Sequence, residues 1–233
     1  MQDVSAKAFV AEGVGSAWLV LSGSGTAVLA AGFPVLGVGF LGIAVAWGVG
    51  LLTAGYGLGR HALAGFMPTM AVGMWCAGVL SFRQCAVGIV AQVLGSVLGA
   101  GVLWLIVSQI PSFDVHQGFA GNGYEALSPG GFSLASVALT ECVMAFFLVV
   151  VVMSGRSAHR YGLIAGGAVV MALLTVTVDN AMVSPARSLA VALFAGGDWL
   201  YQQWVFQLSP CLGAVLGGGV VRGLYRPSRA TTQ

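Results

Sequence analysis

The 233-residue chain is 58% hydrophobic and 7% charged, with a mean hydropathy of +0.95. Soluble domains average about 25% charged residues, so a soluble fold is excluded. The length fits one membrane domain of six or seven spans. A net charge of +2 gives a nucleic-acid role no support.

Residues 13–59 carry no Asp, Glu, Lys or Arg and are interrupted by Gly32-Phe33-Pro34. They predict two spans, about 9–30 and 36–58. Ala30-Ala31-Gly32 is a possible signal-cleavage site, but Glu12 and the full-length apolar run favour a retained span. Further spans are expected at 84–110, 133–153, 161–178 and 202–222. The long connection 109–132 is punctuated by Pro111, Pro129, Gly130 and Gly131. Its stretch Gly118 to Tyr124 is not low-complexity, and an ordered loop is expected there.

Two short segments led by proline lie between these spans, Phe66-Met67-Pro68-Thr69-Met70 and Val183-Ser184-Pro185-Ala186-Arg187. Proline suits the first helical turn, where its missing N–H costs nothing. Ser184 is a candidate N-cap. The helix from Ala186 to about Phe194 is too short to cross a bilayer, which takes about 20 apolar residues. A helix of this kind ends inside the membrane, its positive N-terminus facing a cavity.

With six spans the loops alternate sides. Lys7, Arg60, Arg83, Arg156, Arg160, Arg222, Arg226 and Arg229 fall on one side and Arg187 alone on the other. This asymmetry predicts cytoplasmic termini. Asp114, Glu125 and Asp198 then fall in outside loops. Cys76, Cys85, Cys142 and Cys211 lack metal-ligand spacing and read as small apolar residues.

The chain repeats itself. Gly95-Ser96-Val97-Leu98-Gly99-Ala100-Gly101-Val102 matches Gly213-Ala214-Val215-Leu216-Gly217-Gly218-Gly219-Val220 in register, and both carry a small-xxx-small pair. Glu12 and Glu141 each stand seven residues before a Leu-Val pair. Three spans per half predict opposite orientations, an inverted repeat of about 7–110 and 133–224 in one channel domain of 1–233. The N-termini at Pro68 and Pro185 are then expected to meet near the midplane, a dipolar barrier to cations.

On these residues the chain resembles the aquaporins, or major intrinsic proteins, and most closely the bacterial aquaporin Z group. Ala27-Val28-Leu29-Ala30-Ala31-Gly32-Phe33-Pro34, Ser128-Pro129-Gly130-Gly131 and Pro185-Ala186-Arg187-Ser188 carry the likeness, with Glu12, Glu141, Gln92 and Pro210 at buried structural positions. The resemblance implies six transmembrane helices and two re-entrant half-helices, all α. It also implies a homotetramer with one pore per subunit in a bacterial inner membrane, with no cofactor or metal.

The chain departs from the family at its signature. Asn-Pro-Ala is replaced by Met67-Pro68-Thr69 and by Ser184-Pro185-Ala186. Both asparagines, whose N–H groups hold a passing water in the family, are missing. Met67 offers no donor, and Ser184 one hydroxyl that its own helix can claim. The loop before Pro68 reads Arg60-His61-Ala62-Leu63-Ala64-Gly65 where family members are rich in Ser-Gly-Gly-His. The resemblance sets the outer constriction at Trp47, Ala172, Ala181 and Arg187. Trp and a small residue in place of Phe and His look like the glycerol-conducting branch.

Arg187 is expected as the pore guanidinium, since an intramembrane Arg needs water or carbonyls. Glu12 and Glu141 are expected to accept from the N–H groups of the re-entrant loops rather than to relay protons. His61 reads as a solvated loop residue before a pH gate. Asp179 either draws cations or pairs with Arg187. Met67 either plugs the midplane or swings aside. The leading expectation is a passive channel for water and small neutral solutes such as glycerol. The alternatives are a non-conducting scaffold and a proton-coupled transporter using Glu12 or Glu141.

Overall fold

A computed structural model of the protein describes residues 5–31, 37–154, 160–180 and 183–225. Among the described residues every regular element is helical. The chain opens with α1 (Ala6–Leu19), a π-helical turn (Val20–Ser24) and α2 (Gly25–Leu29), one unbroken helical stretch. At 1.5 Å per residue it reaches about 36 Å, enough for a hydrocarbon core of about 30 Å. There follow α3 (Gly39–Leu58), α4 (Pro68–Cys76), α5 (Phe82–Val107), α6 (Leu134–Ser154), α7 (Arg160–Asp179), α8 (Pro185–Ala195), α9 (Gly197–Tyr201) and α10 (Gln203–Tyr225). Five helical stretches are individually long and apolar enough to cross a membrane: Gly39–Leu58, Phe82–Val107, Leu134–Ser154, Gly162–Asp179 and Gly197–Tyr225. With the composite first stretch they make six spans. The short helices α4 and α8 do not span.

Local chemistry explains the boundaries. Ser81 and Gln84 form a reciprocal capping box at the start of α5. Pro68 and Pro185 open α4 and α8. The π turn falls in Val20-Leu21-Ser22-Gly23-Ser24. There Ser22 donates its hydroxyl to the Leu19 carbonyl, and Thr26 returns one to Ser22. Such turns disturb the carbonyl ladder and mark sites where a helix turns a side chain to a special use.

Small residues set the packing. A Cβ on Gly95 would lie 2.0 Å from the Gly13 carbonyl oxygen, and one on Gly99 2.6 Å from that of Ala17. In the second half, a Cβ on Gly213 would lie 2.0 Å from the Cys142 oxygen, and one on Gly217 2.8 Å from that of Phe146. Gly13 and Cys142 directly follow Glu12 and Glu141; Ala17 and Phe146 come four residues later. Helix α5 therefore rides on α1, and α10 on α6, through the same pair of backbone contacts in the same register. The outward faces carry exposed apolar side chains such as Val10, Phe40, Leu98, Leu139 and Leu212, as a lipid-facing surface requires.

Candidate functional site

The loop before α4 is held from below by one carboxylate. Glu12 is fully buried; its Oε1 accepts from the N–H groups of Leu63 at 2.6 Å and of Ala64, and its Oε2 from Phe66 N–H at 2.9 Å. Gln92 Nε2 donates to Oε2 at 2.7 Å, and Ser16 Oγ donates to the Phe66 carbonyl at 2.8 Å. Phe66 adopts φ +68°, a left-handed conformation that costs about 1–3 kcal/mol and survives only where its surroundings fix it. Here both its N–H and its C=O are clamped. Its ring fills the space that a side chain on Gly15 would need, 2.1 Å from that Cβ position. A cavity of about 50 Å³ lies against this loop, lined by Leu63, Gly65, Phe66, Met70, Met74 and Ile164 among others.

The two half-helices touch at their tips. Thr69 Oγ1, in the first turn of α4, donates to the Val183 carbonyl at 2.6 Å. Met67, just before Pro68, is 0% exposed, so no water-sized sphere touches it. Ser184 does not act as the side-chain N-cap that its position predicts. Its backbone is extended and its carbonyl accepts from Ser188 N–H at 3.0 Å, but its hydroxyl makes no capping bond to α8. Ala186 is buried against the second tip.

Arg187 follows in the first turn of α8 and is 2% exposed. Its Nε donates to Ser24 Oγ at 2.9 Å, on the π turn of the first span. Nη1 donates to Asn122 Oδ1, and Nη2 to the Ala120 carbonyl at 2.6 Å and that of Asn180 at 3.4 Å. A buried guanidinium is tolerable because its donors are met in this way. Its Cζ stands 5.4 Å from the centroid of the Trp47 ring. Trp47 Nε1 has no hydrogen-bond partner among the described residues. Ala172 is buried in the same apolar cluster as Trp47 and Met67. Ala181 lies outside the described residues.

Several of these partners carry little signal in the sequence. Asn122, Ala120 and Ser24 reach Arg187 from elements more than 60 residues away along the chain. The ordered loop 118–124 was the available pointer to Asn122. Asn122 Nδ2 also donates to the Asp179 carbonyl at 2.7 Å, so one side chain ties α7 to the guanidinium.

Glu141 and Asp179 are two further buried acidic residues, 1% and 0% exposed. Glu141 Oε1 has no partner among the described residues. Glu141 was expected to hold the second re-entrant loop as Glu12 holds the first, but part of that loop, Ala181 and Met182, lies outside the described residues. His61 is exposed and accepts from Arg60 Nε at 3.0 Å, a solvated loop arrangement. The four cysteines are free thiols.

Spanning helices around two half-helices joined tip to tip, with one buried guanidinium beside them, define a class of integral membrane proteins. The sequence profile of that class, described as Major intrinsic protein, matches residues 2–221, and the chain belongs to this family. It is 38% identical to an Aquaporin Z of Bradyrhizobium diazoefficiens over 223 residues, covering 94% of this chain and 93% of the relative. It is also 38% identical to an Aquaporin Z of Rhodopseudomonas palustris over 221 residues, covering 93% and 92%. Among solved structures, the aquaglyceroporin from Plasmodium falciparum superposes with a TM-score of 0.72 at 17% identity, covering 94% of each chain, which speaks to the fold.

Proposed function

We propose that this protein is a passive channel for water and for small neutral solutes such as glycerol, with one pore per subunit of a homotetramer. In this reading it sits in a bacterial inner membrane with both termini cytoplasmic, and nothing is chemically transformed. The observation that carries the reading is the seat of Arg187: a buried guanidinium, fixed by Ser24, Ala120 and Asn122, facing the Trp47 ring at the head of a half-helix. The names of the relatives, aquaporin Z and aquaglyceroporin, agree with it.

Selection then follows from width, hydrogen bonding and charge. The half-helix dipoles put positive ends at the midplane, and Arg187 adds a full positive charge. Trp47 and Ala172 supply an apolar wall, and Ala181 is proposed to continue it. The Trp47 indole N–H adds a donor for a hydroxyl-bearing solute. Glu12 keeps the loop rigid by taking three of its N–H groups. Met67, Pro68 and Thr69 form one tip, and Ser184, Pro185 and Ala186 the other.

Stopped-flow shrinkage of proteoliposomes tests the reading. Water flux above that of empty vesicles is expected, and glycerol flux separates a solute pore from a strict water pore. Water and glycerol fluxes no faster than in empty vesicles would end the claim. One observation favours a second reading, a non-conducting scaffold: the absence of accessible surface on Met67. On that reading flux stays at the empty-vesicle level, and only shortening Met67 raises it.

A further inference from the structure

Consecutive residues of the first span each seat a neighbour. A Cβ on Gly50 of α3 would lie 2.1 Å from Ser22 Oγ. A Cβ on Gly23 would lie 2.1 Å from the ring of Trp47, also of α3. Ser24 Oγ accepts from Nε of Arg187, of α8, at 2.9 Å. In a regular α-helix, side chains of adjacent residues point about 100° apart and diverge. The π turn Val20–Ser24 fits an extra residue into the turn and narrows that angle. Gly23 and Ser24 therefore bear on one spot, where the guanidinium Cζ and the Trp47 ring centroid are 5.4 Å apart.

The guanidinium is held between two walls. Its Nη1 and Nη2 donate to Asn122 and Ala120, in the connection between α5 and α6. Its Nε donates to Ser24, the partner that the first span supplies among the described residues. Ser24 is 0% exposed and Arg187 2% exposed, so bulk water does not compete for this bond. The connection thus grips the fork of the planar group and Ser24 grips its stem, which fixes its tilt. Without the Ser24 hydroxyl, Nε–H is a buried donor with no acceptor, a state that proteins avoid. The group then pivots on its Nη bonds until Nε meets water of the passage, and it obstructs the space beside Trp47.

We propose that Ser24 is a positioning residue for the constriction, its hydroxyl holding the Arg187 guanidinium back against the first span. The room left beside Trp47 then admits a small polyol such as glycerol as well as water. For its effect on flux the proposal rests on the channel reading; the hold of Ser24 on Arg187 does not.

Two measurements on the reconstituted protein test this. In solid-state NMR of arginine-labelled protein, the Arg187 Nε–H resonance, identified by its absence in Arg187→Val, is expected to exchange slowly with water. Ser24→Ala should shift it and speed its exchange. In vesicles, Ser24→Ala is expected to lower the glycerol-to-water permeability ratio several-fold. Ser24→Cys, close in size but a weak acceptor, should move both readouts the same way by less, and serves if the alanine variant does not assemble. A lowered thermal midpoint with neither readout moved would make Ser24 merely structural and overturn the proposal. A ratio that is unchanged or raised while the resonance shifts would overturn it too. Vesicles impermeable to both water and glycerol would defeat the channel reading, and the resonance would still decide whether Ser24 orients the guanidinium.

Discussion

Thr69 Oγ1 donates to the carbonyl oxygen of Val183 at 2.6 Å, fastening the first turn of one half-helix to the entry of the other. Both residues are buried, so neither group has water to fall back on. Thr69→Val keeps the shape and strands the Val183 carbonyl. A loss of about 1–3 kcal/mol of stability is expected. Thermal unfolding in detergent would read it as a lowered midpoint, and an unchanged midpoint would show that the junction does not depend on this bond.

Glu12 is the acceptor for three backbone N–H groups and the Gln92 amide. Glu12→Ala orphans all of them, at about 1–3 kcal/mol per unmet donor, which exceeds the margin of most domains. Loss of folded, detergent-stable protein is expected. Glu12→Gln keeps one accepting oxygen and should retain part of the yield, as size-exclusion chromatography can establish.

The glycine seams predict a contrast within one residue type. Gly95→Ala and Gly213→Ala push a methyl group into a backbone oxygen 2.0 Å from the Cβ position, so the helices must part. Each substitution should destabilise by about 1–3 kcal/mol. Gly223→Ala, in α10 with nothing within 4 Å of its Cβ position, should be neutral or slightly stabilising. Parallel thermal melts of the three variants would test this, and equal behaviour would refute the seam.

Met67 and Arg187 give opposite predictions for permeation. Met67→Ala removes the thioether chain from the dry tip, so faster water flux is expected in vesicles. Arg187→Val removes the fixed positive charge and leaves Ser24, Ala120 and Asn122 without their donor. Raised cation or proton conductance is expected in planar bilayers, with some loss of stability. Ion conductance equal to that of the wild type would show that Arg187 is not the barrier.

Much of this architecture is legible in the sequence because lipid imposes strong rules. Runs free of charge mark the spans to within a few residues, and Pro68 and Pro185 mark the half-helices that do not cross. The first span is harder, since its π turn depends on how Ser22, Gly23 and Ser24 meet α3 and Arg187. Side-chain direction is harder still. Ser184 has the right residue type and backbone for an N-cap, yet rotation of its hydroxyl decides whether the cap forms. Asn122 is invisible to spacing because its partners, the Asp179 carbonyl and Arg187, come from helices far along the chain. The family pattern points to Trp47 and Arg187, which the structure brings together, while Ala181 lies outside the described residues.

The position of Trp47 has one more consequence. Its indole presses on Gly23, where a Cβ would lie 2.1 Å from Cε2. The bare backbone of the first span leaves room for this ring, which a side chain at residue 23 would take. A methyl group added at residue 23 would force the ring to shift, and with it the 5.4 Å spacing from the Arg187 guanidinium would change.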